Sequence, residues 1–265
     1  MTIPFVKAHG ARNDFLLTWS DQLPAQARDD PAAAARDICD RHTGAGADGW
    51  IVLSPALEAD AAIALWNSDG SASEISGNGT RCAAAVLVAE NKAPDRVRIQ
   101  TGAGVKTLRL LERCGRQFRF EMNMGRARID NLHSAIAPGH EAVILNVGNP
   151  QCAVFCSGFD FDWRALGARI ERDPLFPERT NVSFVRIAGR HTIDVRFFER
   201  GAGETMSSGT GATGAAAAAL ARDLVEAPVR VLTPAGPLDL RWEGADIFLT
   251  GPAEIVARGE YYWGK

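Results

Sequence analysis

Ser76-Gly77-Asn78-Gly79-Thr80-Arg81-Cys82-Ala83-Ala84-Ala85 and Ser208-Gly209-Thr210-Gly211-Ala212-Thr213-Gly214-Ala215-Ala216-Ala217 repeat one pattern almost half a chain apart. Each reads as a hydroxyl residue, a glycine turn and the start of an alanine-rich helix. Serine is a favoured N-cap, glycines let the backbone bend tightly, and the uncovered N–H groups of a first helical turn attract an anion. Two such helix starts facing each other would grip one small carboxylate between two hydroxyls. That geometry suits chemistry on both faces of one carbon, so the repeat points to a site between two halves. Taken locally, Ser76 and Ser208 read more simply as plain helix caps.

The elements that must carry these turns follow from periodicity. Strand-like runs at Ile3–Val6 and Phe15–Thr18 flank the polar turn Gly10-Ala11-Arg12-Asn13-Asp14. Asp29-Asp30-Pro31 suits the first turn of a helix running to about Arg41. Further strands are expected near Ile51–Leu53, Ala61–Trp66, Val97–Thr101, Val105–Leu111 and Phe118–Met122. The second half restarts near residue 127 and rehearses the order, with a strand at Ala142–Val147, a helix at Asp162–Arg172 and the alanine-rich helix from Gly209 to about Asp223. Many strands between few helices indicate an α+β fold in which each half wraps strands around one central helix.

Composition narrows the function. A chain of 265 residues, 46% hydrophobic, can bury one large core or two of ordinary size. Its 29 basic and 32 acidic residues, with no Lys/Arg run, give no footprint for nucleic acid. No segment reads as a signal peptide or membrane span, so a soluble cytoplasmic protein is the expectation. Cys39, Cys82, Cys114, Cys152 and Cys156 are odd in number and scattered, which fits reduced thiols, and Cys152 and Cys156 lie in an apolar segment that suits core packing rather than a metal. Gly209-Thr210-Gly211-Ala212-Thr213-Gly214 matches a dinucleotide fingerprint literally, but Gly201 to Ser208 separate it from the strand Thr192–Phe198. Lys7, Lys92, Lys106 and Lys265 lie in no motif for pyridoxal phosphate.

Motifs in order then resemble the diaminopimelate epimerase family, the pyridoxal-phosphate-independent amino-acid racemases and epimerases. They are Lys7 to Phe15, Asp40 to Gly49, Gly77-Asn78-Gly79-Thr80-Arg81-Cys82, Gly148-Asn149-Pro150, Phe176-Pro177-Glu178 with Asn181-Val182, Glu199 to Thr205, Gly209-Thr210-Gly211-Ala212, and Leu249 to Ala253. The resemblance implies two pseudo-symmetric halves, 1–126 and 127–265, each a curled, mostly antiparallel sheet around a central helix, with the final strand returning to the first half. It implies a cofactor-independent isomerase converting LL- to meso-diaminopimelate, with no metal, a small amino-acid substrate, and a homodimer left open.

In that family one cysteine removes the α-proton and a second delivers a proton to the opposite face. The matching positions here are Ser76 and Ser208, and Gln151 stands where the family has a histidine. A serine hydroxyl is a poor base unless another group takes its proton, and Glu199 is the candidate to do so for Ser208. Cys82 does not substitute, because the family has a non-catalytic cysteine there. The resemblance assigns Asn13, Asn67, Asn149, Asn181, Glu199 and Arg200 to the non-reacting end of the substrate, and Gly77, Asn78, Gly209 and Thr210 to the reacting carboxylate. Gly49 departs from members that carry glutamine. His9 and His42 read as structural. Two alternatives stand beside the epimerase: a diverged isomerase or dehydratase needing one assisted proton transfer, and an amino-acid-binding protein that has lost catalysis.

Overall fold

The computed structural model describes residues 1–93, 95–137 and 139–264, so Lys265 lies outside the described residues. It divides into two compact units, 1–122 with 251–265 and 123–250. In the first, β1 (Thr2–Gly10) and β2 (Asn13–Trp19) form a hairpin, followed by α1 (Ala25–Asp29), α2 (Pro31–Cys39), β3 (Gly49–Ser54), β4 (Ala61–Asn67), β5 (Ala72–Ser73), α3 (Gly77–Ala89), β6 (Arg96–Thr101), β7 (Gly104–Cys114) and β8 (Gln117–Gly125). After β9 (Arg128–Ser134), the second continues with β10 (Glu141–Asn146), β11 (Pro150–Phe155), α4 (Trp163–Glu171), β12 (Asn181–Gly189), β13 (Thr192–Glu199) and β14 (Gly203–Thr205). It ends with α5 (Gly209–Ala221), β15 (Val229–Thr233), β16 (Gly236–Glu243) and β17 (Asp246–Tyr262), whose C-terminal part pairs antiparallel with β1.

The two units use the same connections. In the first, α2 links the parallel pair β2 and β3, β4 returns antiparallel, and α3 leads to β6, parallel to β4. In the second, α4 links the parallel pair β11 and β12, β13 returns antiparallel, and α5 leads to β15, parallel to β13. Most other pairings are antiparallel, so the fold is α+β with a curled sheet and one central helix in each half.

The central helices are rich in small and apolar residues and are enclosed on every side, with the polar groups of α3 (Asn78, Thr80, Arg81) buried in its first turns. Every residue of α3 from Gly77 to Val88 and of α5 from Gly209 to Ala219 is buried. Small residues permit this. A Cβ on Gly79 would lie 2.9 Å from Ile51 Cδ1, and one on Gly211 would lie 2.8 Å from Phe197 Cδ1. Both helix starts therefore press against their sheets at a glycine.

Local chemistry sets the helix ends. The helix expected from Asp29-Asp30-Pro31 to about Arg41 is α2, with Asp30 as its N-cap, non-helical before the proline and accepting Ala33 N at 2.9 Å on its carboxylate, while the short α1 precedes it. It stops at Cys39, where the Asp40 carboxylate instead accepts His42 N and Thr43 N. Asp162 caps α4 by accepting Ala165 N at 3.0 Å. The end of α5 falls at Ala221 rather than Asp223, since Asp223 turns to φ 55°.

Candidate active site

In the first unit the register Phe15–Gly49–Asn67 aligns the start of β2, the start of β3 and the end of β4. Asn13 and Asn67 therefore lie at the same end of the sheet. Ser76 caps α3, its hydroxyl accepting Gly79 N at 3.1 Å, while Thr80 Oγ1 donates to Ser76 O at 2.7 Å. Asn78, in the first turn and buried, donates from Nδ2 to Asn13 Oδ1 at 3.2 Å. Asn67 is drawn instead into its own turn, donating to Ser71 Oγ at 2.9 Å. Among the described residues, no carboxylate or imidazole of this unit bonds the Ser76 hydroxyl.

The second unit builds the same corner with different groups. Gln151 pairs with Asn181 and Val182 with Phe198, which sets Asn181 beside Glu199. Glu199 thus holds the place that Asn67 holds in the first unit, and Asn181 that of Gly49. Ser208 caps α5, accepting Gly211 N at 3.0 Å, and donates its own proton to Glu199 Oε2 at 2.7 Å. Thr205 Oγ1 donates to Glu199 Oε1 at 2.6 Å. With both carboxylate oxygens held, Glu199 faces the serine in one orientation.

The neighbouring binding candidates are positioned by further bonds. Asn149 Nδ2 donates to Thr210 Oγ1 at 3.4 Å, and Gln151 Nε2 donates to Asn149 Oδ1 at 2.7 Å. Asn181 donates to Pro150 O at 3.0 Å and accepts Arg200 N at 3.1 Å, so its amide ties the β11 start to the Glu199-Arg200 turn. Arg200 Nη1 donates to Glu178 O at 3.1 Å. Gly77 and Gly209 each open their helices.

Sequence reasoning missed three groups that hold these residues. Thr205 fixes Glu199, and Asp48 accepts Asn13 Nδ2 at 2.8 Å. Glu171, fully buried at the end of α4, accepts Gly201 N at 3.2 Å and pairs with Arg172 and Arg179. The signal for Thr205 and Asp48 was their place inside family motifs. Glu171 had none, because only packing brings a helix end beneath that turn.

The thiols stand apart from this chemistry. Cys39, Cys82 and Cys152 are buried, and burial, which disfavours the thiolate, pushes each up to about 12. Cys82 sits in α3 six residues beyond Ser76, but it remains a thiol at neutral pH. Among the described residues, no cluster of His, Cys, Asp and Glu could hold a metal, and no helix is long and apolar enough to cross a membrane.

Each unit carries a glycine-started helix with a serine cap, in the second unit backed by a carboxylate, and the family match places the chain among isomerases of the racemase and epimerase type. Solved structures share the fold. A probable proline racemase from Agrobacterium radiobacter matches with TM-score 0.78 at 16% identity over 97% of this chain and 92% of that one. A phenazine biosynthesis protein from Bacillus anthracis matches with TM-score 0.75 at 13% identity over 98% of this chain and 99% of that one. The diaminopimelate epimerase family model matches residues 5–129 and 143–256. The diaminopimelate epimerase of Pelotomaculum thermopropionicum is 37% identical over 97% of this chain and 98% of its own length. The chain belongs to the diaminopimelate epimerase family.

Proposed function

We propose that the protein binds a diaminopimelate-like α-amino dicarboxylate and acts at its α-carbon, with Ser208 and Glu199 transferring a proton on one face and Ser76 on the other. The observation behind this reading is the 2.7 Å bond from Ser208 Oγ to Glu199 Oε2 at a helix start. As the serine oxygen takes a proton from carbon, its own proton passes to the carboxylate, so no free alkoxide has to form. The N–H groups at Gly77, Asn78, Gly209 and Thr210 stabilise the negative charge that spreads onto the substrate carboxylate. Asn13, Asn67, Asn149, Asn181 and Arg200 hold the distal amino-acid head. Five free cysteines fit the reducing cytoplasm as its compartment.

The inequality of the two corners favours a second reading. Ser208 has a carboxylate acceptor, whereas the corresponding place in the first unit holds Asn67, which takes no proton. One assisted and one unassisted face suit an isomerase or dehydratase that needs a single proton removal. Incubation with LL- and meso-diaminopimelate in deuterium oxide separates the two. Exchange with inversion supports the epimerase, and tight binding with exchange only on one isomer supports the single-transfer reaction. No binding of either isomer by calorimetry would remove diaminopimelate as the substrate.

A further inference from the structure

Four side chains of the first unit form a chain of hydrogen bonds in which every link donates in the same direction. Arg81 Nη2 donates to Asn78 Oδ1, Asn78 Nδ2 to Asn13 Oδ1 at 3.2 Å, and Asn13 Nδ2 to Asp48 Oδ2 at 2.8 Å. A cation that can only donate stands at one end. A carboxylate that can only accept stands at the other. Arg81 is completely buried, and no carboxylate lies against it among the described residues. Burial pulls its guanidinium down to about 10, which leaves it charged at neutral pH. Its Nε donates to Pro252 O at 3.1 Å, which fixes the plane of the group. At the far end, Asp48 also accepts Arg41 Nη2 at 2.8 Å and Asp14 N at 3.1 Å, so it too is anchored.

An asparagine amide in isolation can turn over at little cost, exchanging a donor for an acceptor. Here neither amide can. Turning Asn13 would aim its oxygen at the Asp48 carboxylate and its NH2 at the NH2 of Asn78. Turning Asn78 would aim its NH2 at the Arg81 guanidinium. The charges at the two ends therefore set the polarity of both amides, and links aligned in one direction reinforce one another.

We infer that Asp48 and Arg81 are positioning residues for substrate recognition, holding the half-buried Asn13 amide so that its second N–H is presented to a carboxylate of the substrate. This rests on the assignment of Asn13 to the site under the proposed function. Asp48 touches no substrate in this scheme and acts through Asn13. It is the better handle for a test, being partly exposed, whereas Arg81 is fully buried and its loss would disturb the fold.

Calorimetric titration with meso-diaminopimelate of the full chain and five variants tests the inference, with thermal unfolding recorded for each. Asn13→Ala measures what the amide contributes. Asp48→Ala should weaken binding about 10- to 100-fold, the loss of one hydrogen bond to a charged group. Asp48→Asn, which keeps an acceptor, should lose less and serves if the alanine variant does not fold. Arg41→Gln removes the same ion pair from Asp48 but leaves the bond to Asn13, so its affinity should stay within about threefold of the parent.

The decisive variant exchanges the two side chains, Asn13→Asp with Asp48→Asn. It restores a hydrogen bond and the net charge between them but presents a carboxylate to the substrate, so it should recover thermal stability without recovering affinity. Recovery of parental affinity by that exchange, or parental affinity in Asp48→Ala where Asn13→Ala binds weakly, overturns the inference. Parental affinity in Asn13→Ala removes Asn13 from the site and overturns the underlying assignment instead.

Discussion

Replacing Ser76 and Ser208 by cysteine, singly and together, should raise α-proton exchange on diaminopimelate, most of all in the double variant. A thiol with a reference pKa of about 8.5 is about 3% thiolate at pH 7, and a helix N-terminus that lowers it to about 7.5 would raise the fraction to about a quarter. A serine hydroxyl supplies no comparable population of base. General acid–base catalysis contributes about 10²–10⁴-fold when the group's pKa lies near the working pH, so the double variant should exceed the parent by that range.

The structure also separates the single variants. Ser208→Cys keeps Glu199, whose carboxylate is 2.7 Å from the present hydroxyl, and should exchange one isomer with retention. Among the described residues no carboxylate of its unit bonds Ser76, so the exchange of Ser76→Cys should climb with pH toward the thiol pKa. Neither should invert the centre efficiently, since inversion needs a base on one face and an acid on the other. Each substitution also weakens a helix cap, 3.1 Å from Gly79 N or 3.0 Å from Gly211 N, at a cost of about 0.5–2 kcal/mol. The assay is deuterium incorporation at the α-carbon from deuterium oxide, read by mass spectrometry and by chiral separation. Parental exchange already equal to that of the double variant would show that serine with Glu199 suffices. Absence of exchange in all four proteins on any α-amino acid would move the reading to the isomerase, dehydratase or binding-protein alternatives.

Arg200→Ala should weaken diaminopimelate binding by about 2–5 kcal/mol in calorimetry, the range for truncating one partner of a buried charged contact, and equal affinity would remove Arg200 from the site. Gly211→Ala should destabilise by about 1–3 kcal/mol in denaturant titration and more than Gly79→Ala, because its new methyl meets the rigid ring of Phe197 whereas the other meets the end of Ile51. Asp14 is pushed up by burial but pulled further down by Arg41 and Lys7, so its folded pKa is depressed. The stability it contributes is present above about pH 4 and is lost as pH falls through the lower folded value. Lys7→Met should therefore move the acid-unfolding midpoint to higher pH. Alkylation of the native protein at pH 8 should modify Cys114 first, since it alone is exposed, and reach Cys39, Cys82 and Cys152 only in denaturant.

The sequence by itself determined the two helix starts, because the Ser-Gly-x-Gly pattern and the alanine run specify a cap, a tight approach and a small-sided helix from local residues. It determined the α+β class and most strands of the first half for the same reason, since period-two patterning is read over a few residues, whereas in the second half it located only Ala142–Val147 and Thr192–Phe198. It identified the family, and with it a site list in which Asn13, Glu199, Arg200 and Ser208 carry weight only through the motifs around them. Taken locally, Glu199-Arg200 is a solvated pair and Ser208 a plain cap.

Only the tertiary structure decided which partners those groups find. Whether Glu199 reaches Ser208 depends on β13, β14 and α5 meeting at one corner, and whether Asn67 does the same for Ser76 depends on a turn that draws its amide to Ser71. The register that sets Asn181 beside Glu199 and Gly49 beside Asn67 is a property of strand pairing, and it shows the two corners to be equivalent in place but unequal in chemistry. Glu171 beneath the Gly201 turn and Asp48 beside Asn13 come from elements far apart in the chain. Local sequence sets which residues can cap, bend or donate, while the partner each one finds is set by packing between segments, where hydrogen bonds form only once the strands and helices have closed.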